Sequence, residues 1–77
     1  MTTAERVIRE ANLIARNFEC LGHERAMAAT ADHVARFWAP SLKQRLFSEA
    51  AAHRERFSSI ALDAIASLQP ARQSRAA

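Results

Sequence analysis

Cys20, His23 and Glu24 lie within five positions of one another and carry side chains that can bind a metal ion. Zinc sites normally draw paired Cys or His ligands from two separate places in a chain. This chain has a single Cys and no second pair of ligands. The sequence therefore predicts no metal site, and it predicts that Cys20 is a surface thiol beside a helix cap.

A second pair of residues that could do chemistry is Cys20 with His33, whose thiol and imidazole are the groups used in nucleophilic catalysis. Nothing in the sequence indicates the orienting carboxylate or the oxyanion donors that such a site needs. We therefore predict no catalytic and no cofactor-binding residues, and a chain that is itself not an enzyme. His33 lies at the edge of an apolar helix face, which predicts a half-buried packing residue or, as the next alternative, an interface residue.

The length and composition of the chain also argue against an enzyme that acts alone. The 77 residues suffice for one small domain, without room for a catalytic domain beside a cofactor domain. Eighteen residues are Ala, which contributes little apolar area, so the core is expected to be thin. The single Cys excludes an internal disulfide and favours a reducing compartment. We find no apolar run of the ~18 residues that a membrane span needs and no signal peptide, which predicts a cytoplasmic protein without a membrane partner.

The formal net charge of +3 suggests an anionic partner only at first sight. Two of the basic residues, Arg72 and Arg75, lie in residues 70–77, which have no periodic apolar face and are predicted to be a disordered tail. The predicted single domain, residues 1–69, then has nine basic and eight acidic residues. Its charges alternate at helical spacing, as in Glu5 with Arg9 and Asp32 with Arg36, which predicts surface ion pairs rather than a nucleic-acid interface.

The elements that hold these residues are predicted to be all helical, in a small bundle of three to four helices over residues 4–20, 23–38, 42–53 and 58–68. Gly22 is predicted to end the first helix as a left-handed C-cap. Ser41 is the expected N-cap of the third helix, and Ser58 or Ser59 that of the fourth. Since no Gly or Pro lies between residues 41 and 69, one continuous rod is the alternative to a break at residues 53–56, which we favour.

Apolar residues fall on one face of each predicted helix. The first helix has an arc about 140° wide, formed by Ala4, Val7, Ile8, Ala11, Ile14, Ala15, Phe18 and Leu21. The arc of the second is wider and centres on Met27, Ala31, Val34 and Trp38, leaving Arg25, Ala29, Asp32 and Arg36 for water. The stripe of the third consists of Leu42, Leu46, Ala50 and His53, and the fourth presents Phe57, Ile60, Ala61, Ala64, Ile65 and Leu68. A helix as widely apolar as the second must be covered on two sides, by other helices or by another protein.

Two apolar features are candidates for a partner interface. Phe37, Trp38 and Pro40 form the densest apolar cluster, which either closes the core or forms a docking knob, because Trp is enriched at interface hot spots. Leu13 and Cys20, seven positions apart on the polar face of the first helix, form a second small stripe. A helix-turn-helix interpretation around Gly22 is less favoured, because the second helix has Ala and Met where residues that read bases are needed.

Two segments carry a recognisable pattern, ANLIARNFE at residues 11–19 and DHVARFWAPSLKQRL at residues 32–46. The residues of the pattern are Ala11, Asn12, Ile14, Ala15, Phe18, His33, Val34, Phe37, Trp38 and Pro40. Over about its first two-thirds the chain thereby resembles the small delta subunit of cytoplasmic NAD-dependent, molybdenum-containing formate dehydrogenases, whose pattern is an Ala-Asn-x-Ile-Ala helix with a Phe near its end, followed by His-Ile/Val-x-x-Phe-Trp-x-Pro. Leu42 and Lys43 replace the usual Met and Arg, and no Gly follows the third helix.

The resemblance implies a non-catalytic accessory subunit that supports assembly or stability of the enzyme. It would bind the catalytic alpha subunit, in a complex with beta and gamma subunits whose cofactors are molybdopterin, iron–sulfur clusters and FMN. The predicted interface residues are Leu13, His33, Phe37, Trp38 and Pro40. A small DNA-binding regulator and a transient assembly chaperone are the alternative hypotheses.

Overall fold

The computed structural model describes residues 2–69, which form four α-helices and no strand. These are α1 (Thr3–Phe18), α2 (His23–Phe37), α3 (Pro40–Ala52) and α4 (Ser59–Leu68), with single 3₁₀ turns at Glu19–Leu21 and Arg54–Arg56. The all-α prediction and the break between the third and fourth helices are confirmed. The predicted tail at residues 70–77 lies outside the described residues.

A capping box begins α1. Glu5 N–H donates to Thr2 Oγ1 at 3.1 Å, and Thr2 N–H donates to Glu5 Oε1 at 2.9 Å. These hydrogen bonds hold the pKa of Glu5 below its usual value, first through the Thr2 backbone and then through the Thr2 hydroxyl. Because the carboxylate is turned toward Thr2, the predicted Glu5–Arg9 pair is wrong. Asp32 and Arg36 do pair, at 3.0 Å.

The turn at Gly22 differs from the predicted left-handed cap. Gly22 has φ +94° and ψ 157°, so the positive φ is confirmed but the backbone is extended rather than helical. The first helix ends at Phe18, short of the predicted boundary, because Glu19–Leu21 tighten into a 3₁₀ turn. Gly22 then serves as the N-cap residue of α2. Its extended ψ redirects the chain from α1 into α2.

The third helix begins two residues earlier than predicted. Pro40 occupies its first turn and Ala39 is the N-cap residue, so the assignment of Ser41 as N-cap is wrong. Proline fits this position because its fixed φ is helical and its missing N–H would have had no partner. From α3, Lys43 Nζ donates to Ala35 O at 3.0 Å, which satisfies a carbonyl in the last turn of α2.

The break between α3 and α4 is held by side chains from both sides. His53 ends α3 with φ −138° and ψ 57°, and Ser58 Oγ accepts from Ala61 N–H at 3.2 Å as the N-cap of α4. Asn12, on α1, donates from Nδ2 to Arg56 O at 2.8 Å and accepts from Ser58 N–H at 2.9 Å. Phe57, between the two bonded residues, is buried. A single amide therefore fixes the turn that inserts Phe57 into the core.

The core is formed by small and medium-sized side chains from all four helices together with Phe57 from the turn between α3 and α4. Its buried apolar members are Val7, Ile8, Ala11, Ile14, Ala15, Ala26, Val34, Leu46, Ala50, Phe57, Ala61, Ala64 and Ile65. The predicted faces of the first and fourth helices are largely confirmed. The prediction that Leu21 and His53 belong to the core is wrong, because Leu21 is exposed in the 3₁₀ turn and His53 is exposed at the end of α3.

The second helix is covered on two sides, by α1 and α4. Its buried stripe consists of Ala26, Thr30 and Val34, and its centre is rotated by about 70° from the predicted one. Thr30 can be buried because its hydroxyl donates to Ala26 O at 2.7 Å. Met27 and Ala31 are consequently only half-buried, and Ala29, predicted to face water, is half-buried too.

Candidate partner interface

Three large apolar side chains are exposed on the described part of the chain. Phe37 is 71% exposed, Leu13 48% and Leu21 47%. Phe37 and Leu13 are two of the five residues predicted to form a partner interface. Leu21 was predicted to lie in the core and belongs to the 3₁₀ turn after α1.

Phe37 continues the buried stripe of α2 beyond the part that other helices cover. At 100° per residue it lies about 20° from the direction of Ala26, between Ala26 and Thr30. Both of those residues are buried, whereas Phe37, at the last position of the helix, is not. The core-facing side of α2 thus ends in an uncovered aromatic ring.

His33 lies one turn before Phe37 and is half-buried. The two rings stack in a tilted arrangement, with 5.0 Å between their centroids and 50° between their planes. His33 thereby contacts one side of the Phe37 ring. The structure brings these two predicted interface residues together.

Trp38, the C-cap residue of α2, has an extended backbone and packs against the core. It is half-buried and lines a shallow groove with Arg6, Val7 and Glu10 of α1 and with Leu42 of α3. Of the two interpretations of the aromatic pair, packing in the core therefore applies to Trp38. Docking to a partner remains possible for Phe37, which is exposed. 

Pro40 is exposed in the first turn of α3, three residues after Phe37. The nearby cations are engaged within the chain: Arg36 pairs with Asp32, and Lys43 donates to Ala35 O. The end of α2 is consequently an apolar surface whose neighbouring charges are already satisfied.

Leu13 lies on the outer face of α1, away from the core stripe of that helix. By helical spacing it points about 120° from Val7. With Arg9, Asn12 and Arg16 it lines a shallow depression on the helix surface. It belongs to a different chemical environment from Phe37, basic rather than neutral.

Side chains capable of metal binding or catalysis do not converge within residues 2–69. Cys20 is exposed, and His23 Nε2 lies 2.6 Å from Asp63 Oδ2, an ion pair when His23 is protonated that links the start of α2 to α4. Within residues 2–69, no three His, Cys, Asp or Glu side chains form a group that could hold a metal ion.

Two polar contacts were missed by sequence reasoning. In the sequence Asn12 stands out only as part of the family pattern, although its position at the border of the apolar arc indicates a half-buried amide that needs partners. The contact of His23 with Asp63 joins residues 40 positions apart and has no local signal. Both contacts hold helices together and neither forms a site for chemistry.

None of the helices in the described ranges has both the length and the apolar character that a membrane crossing requires.

Comparison with known proteins gives one family. The family model described as NADH-dependent formate dehydrogenase delta subunit FdsD matches residues 6–65. No curated protein and no solved structure matches the chain. The matched span begins in α1 and ends in α4, so it includes parts of all four helices and all five predicted interface residues. The chain therefore belongs to the FdsD family of formate dehydrogenase delta subunits.

Proposed function

We propose that this chain is a non-catalytic accessory subunit that docks on the molybdenum-bearing catalytic alpha subunit of a cytoplasmic NAD-dependent formate dehydrogenase and supports its assembly or stability. The beta and gamma subunits belong to the same complex. Molybdopterin, iron–sulfur clusters and FMN reside on these partners, and this chain binds none of them.

The observation that carries the proposal is the exposure of Phe37 at the end of the buried stripe of α2. A Phe that is 71% exposed beside an otherwise complete core contributes little to the stability of the isolated chain. Its ring contacts the imidazole of His33 on one side and is otherwise accessible to a pocket of the partner. We propose that His33, Phe37 and Pro40 contact the catalytic subunit directly. Trp38, which packs against the core, positions these three residues, and Leu13 contributes a separate contact.

The contribution of Phe37 to binding follows from its exposed area. Burying an aromatic side chain removes roughly 150–250 Å² from water at about 25 cal/mol per Å². For a side chain that is 71% exposed before docking, the lower end of this range gives about 3 kcal/mol, which is the appropriate end because Ala still buries its Cβ. Phe37→Ala should therefore weaken binding about 30- to 150-fold, since each 1.4 kcal/mol is a factor of about ten.

Binding of this size would stabilise the assembled enzyme by mass action. A subunit that binds the folded catalytic subunit and not its unfolded form raises the free energy of unfolding of that partner. Loss of the chain should then lower the yield and thermal stability of the catalytic subunit rather than remove a catalytic group.

Co-purification tests the proposal. The tagged chain, expressed with the catalytic, beta and gamma subunits, should recover a large polypeptide containing molybdenum and iron–sulfur clusters, in a fixed ratio. Phe37→Ala should reduce the recovery, whereas Leu21→Ala, which truncates another exposed apolar side chain outside the proposed surface, should leave it unchanged. Circular dichroism of both variants controls for loss of fold.

The outcomes separate the proposal from the other hypotheses. Recovery of no catalytic subunit by the folded wild-type chain would refute it. Recovery with immature enzyme only would identify a transient chaperone. Salt-sensitive binding to DNA in a gel-shift assay, without recovery of the enzyme, would identify a regulator.

A further inference from the structure

We infer that the outer face of α1, formed by Arg6, Arg9, Leu13 and Arg16, is a second docking surface that binds an acidic protein surface of the same formate dehydrogenase complex. This inference rests on the proposed function, because it assumes that the chain binds the complex. It concerns a different face from Phe37 and a different chemistry. We call these four residues the α1 outer face.

Helical spacing places the four residues on one strip. At 100° per residue they fall within an arc about 80° wide, and no other residue of Thr3–Phe18 points into that arc. All four are exposed. The strip is therefore a continuous surface with three guanidinium groups around one apolar side chain.

The three arginines have no carboxylate partner within 4.0 Å among residues 2–69. Three carboxylates lie at helical pairing distance from these arginines: Glu5 is held by Thr2 in the capping box, and neither Glu10 nor Glu19 forms an ion pair with them. Elsewhere Arg36 pairs with Asp32 and Arg45 with Glu49, whereas Arg25, Arg54 and Arg56 also lack a carboxylate within 4.0 Å; α1 differs in placing three such arginines on one strip. The α1 outer face thus concentrates unpaired positive charge.

The chemistry of the strip favours a protein partner with carboxylates. Guanidinium groups bind carboxylates in a bidentate geometry, and Arg is enriched at protein interfaces. Leu13, which is 48% exposed at the centre, would be buried in an apolar recess of such a partner. A phosphate backbone offers no such recess, and an anionic membrane would require a broader apolar face than one Leu.

The experiment measures binding of the full-length chain to formate dehydrogenase purified from a strain that lacks this chain. Affinity is measured at about 50 mM and about 300 mM salt, because screening over a Debye length of roughly 14 Å and 6 Å, respectively, weakens surface charge contacts to different extents. Arg9→Glu with Arg16→Glu should lower the affinity at least ~10-fold at low salt, and by much less at high salt. Leu13→Ala should lower it about 5-fold at both.

Arg25→Glu is the matched control, because Arg25 is an exposed and unpaired arginine on α2, outside both surfaces. It should change the affinity less than ~2-fold. Arg9→Gln with Arg16→Gln removes the charges without reversing them, and it replaces the Glu variant if circular dichroism shows that the latter does not fold.

Three results would overturn the inference. If the Arg9 and Arg16 variants bind as Arg25→Glu does while Phe37→Ala still weakens binding, the inference fails and the proposed function stands. If the wild-type chain does not bind the complex, both fail. If the Arg9 and Arg16 variants keep their affinity for the complex but lose binding to duplex DNA or to phosphatidylserine vesicles, the α1 outer face serves that partner instead.

Discussion

The hydrogen bonds of Asn12 allow a quantitative test of how this small bundle is held together. Asn12 is the only side chain described here that bonds both sides of the turn between α3 and α4, at 2.8 Å to Arg56 O and 2.9 Å to Ser58 N–H. Asn12→Ala removes both bonds, so Arg56 O and Ser58 N–H lose their side-chain partner on either side of the buried Phe57.

The expected loss follows from these contacts. Each hydrogen bond contributes about 0.5–1.5 kcal/mol net, and loosening of the Phe57 turn adds to the loss. We expect Asn12→Ala to lower the free energy of unfolding by about 2 kcal/mol relative to Asn17→Ala. Asn17 is exposed on the same helix and has no hydrogen bond of its side chain in the described structure, so the comparison cancels the gain in helix propensity.

Urea unfolding of the purified chain, followed by circular dichroism, measures this difference. A domain of this size has a total stability of roughly 4–12 kcal/mol, so the loss is a large fraction of it and corresponds to a fall in Tm of about 10 °C. If the two variants unfold within about 0.5 kcal/mol of each other, then Asn12 does not hold the turn and the reasoning is refuted.

Two further predictions concern Thr30 and Glu5. Thr30→Val should change the free energy of unfolding by less than about 1 kcal/mol in urea unfolding, because Ala26 O keeps its helical partner when the hydroxyl is removed; a large loss would show that the hydroxyl is needed. Because the pKa of Glu5 is lowered in the folded state, its stabilising contribution is complete above the pKa of an unfolded Glu and is lost as the pH falls through the lowered value. Glu5→Gln should therefore weaken the fall of Tm with pH in the acidic range, and an unchanged pH profile would contradict the role of the Thr2 capping box.

The helices themselves were accessible from the sequence because their signals are local. Apolar residues repeat with the helical period, and Gly22, Pro40 and Ser58 mark boundaries through backbone preferences that depend on neighbouring residues. Errors arose where one local signal competed with another, as when Pro40 rather than Ser41 set the start of α3.

Which face of α2 is buried could not be predicted from local signals in the same way. Counting apolar residues placed its centre near Met27 and Trp38, whereas packing between α1 and α4 selected Ala26, Thr30 and Val34. Small residues allow helices to approach closely, and the buried Thr30 satisfies its own hydroxyl. Hydrophobicity alone registers neither effect.

The candidate interface also combines features that the sequence predicts with features that it does not. Its aromatic residues stand out in the sequence, yet the sequence cannot tell which ring is inside, because Phe37 and Trp38 are adjacent and similarly apolar. Packing against α1 and α3 decides this, since it half-buries Trp38 and leaves Phe37 exposed. The sequence likewise does not show which charges of α1 form pairs, because the capping box holds the Glu5 carboxylate against Thr2 and away from Arg9.

The sequence by itself thus determined an all-helical chain, its approximate boundaries, and a family resemblance that the family match confirmed. Periodicity and capping are properties of neighbouring residues, so they can be read along the chain. Only the tertiary structure decided that Asn12 holds the turn at Phe57, that Phe37 is uncovered, and that three arginines are left unpaired on one face. Those features depend on which helices lie side by side, and contacts between residues tens of positions apart leave no periodic pattern in the sequence.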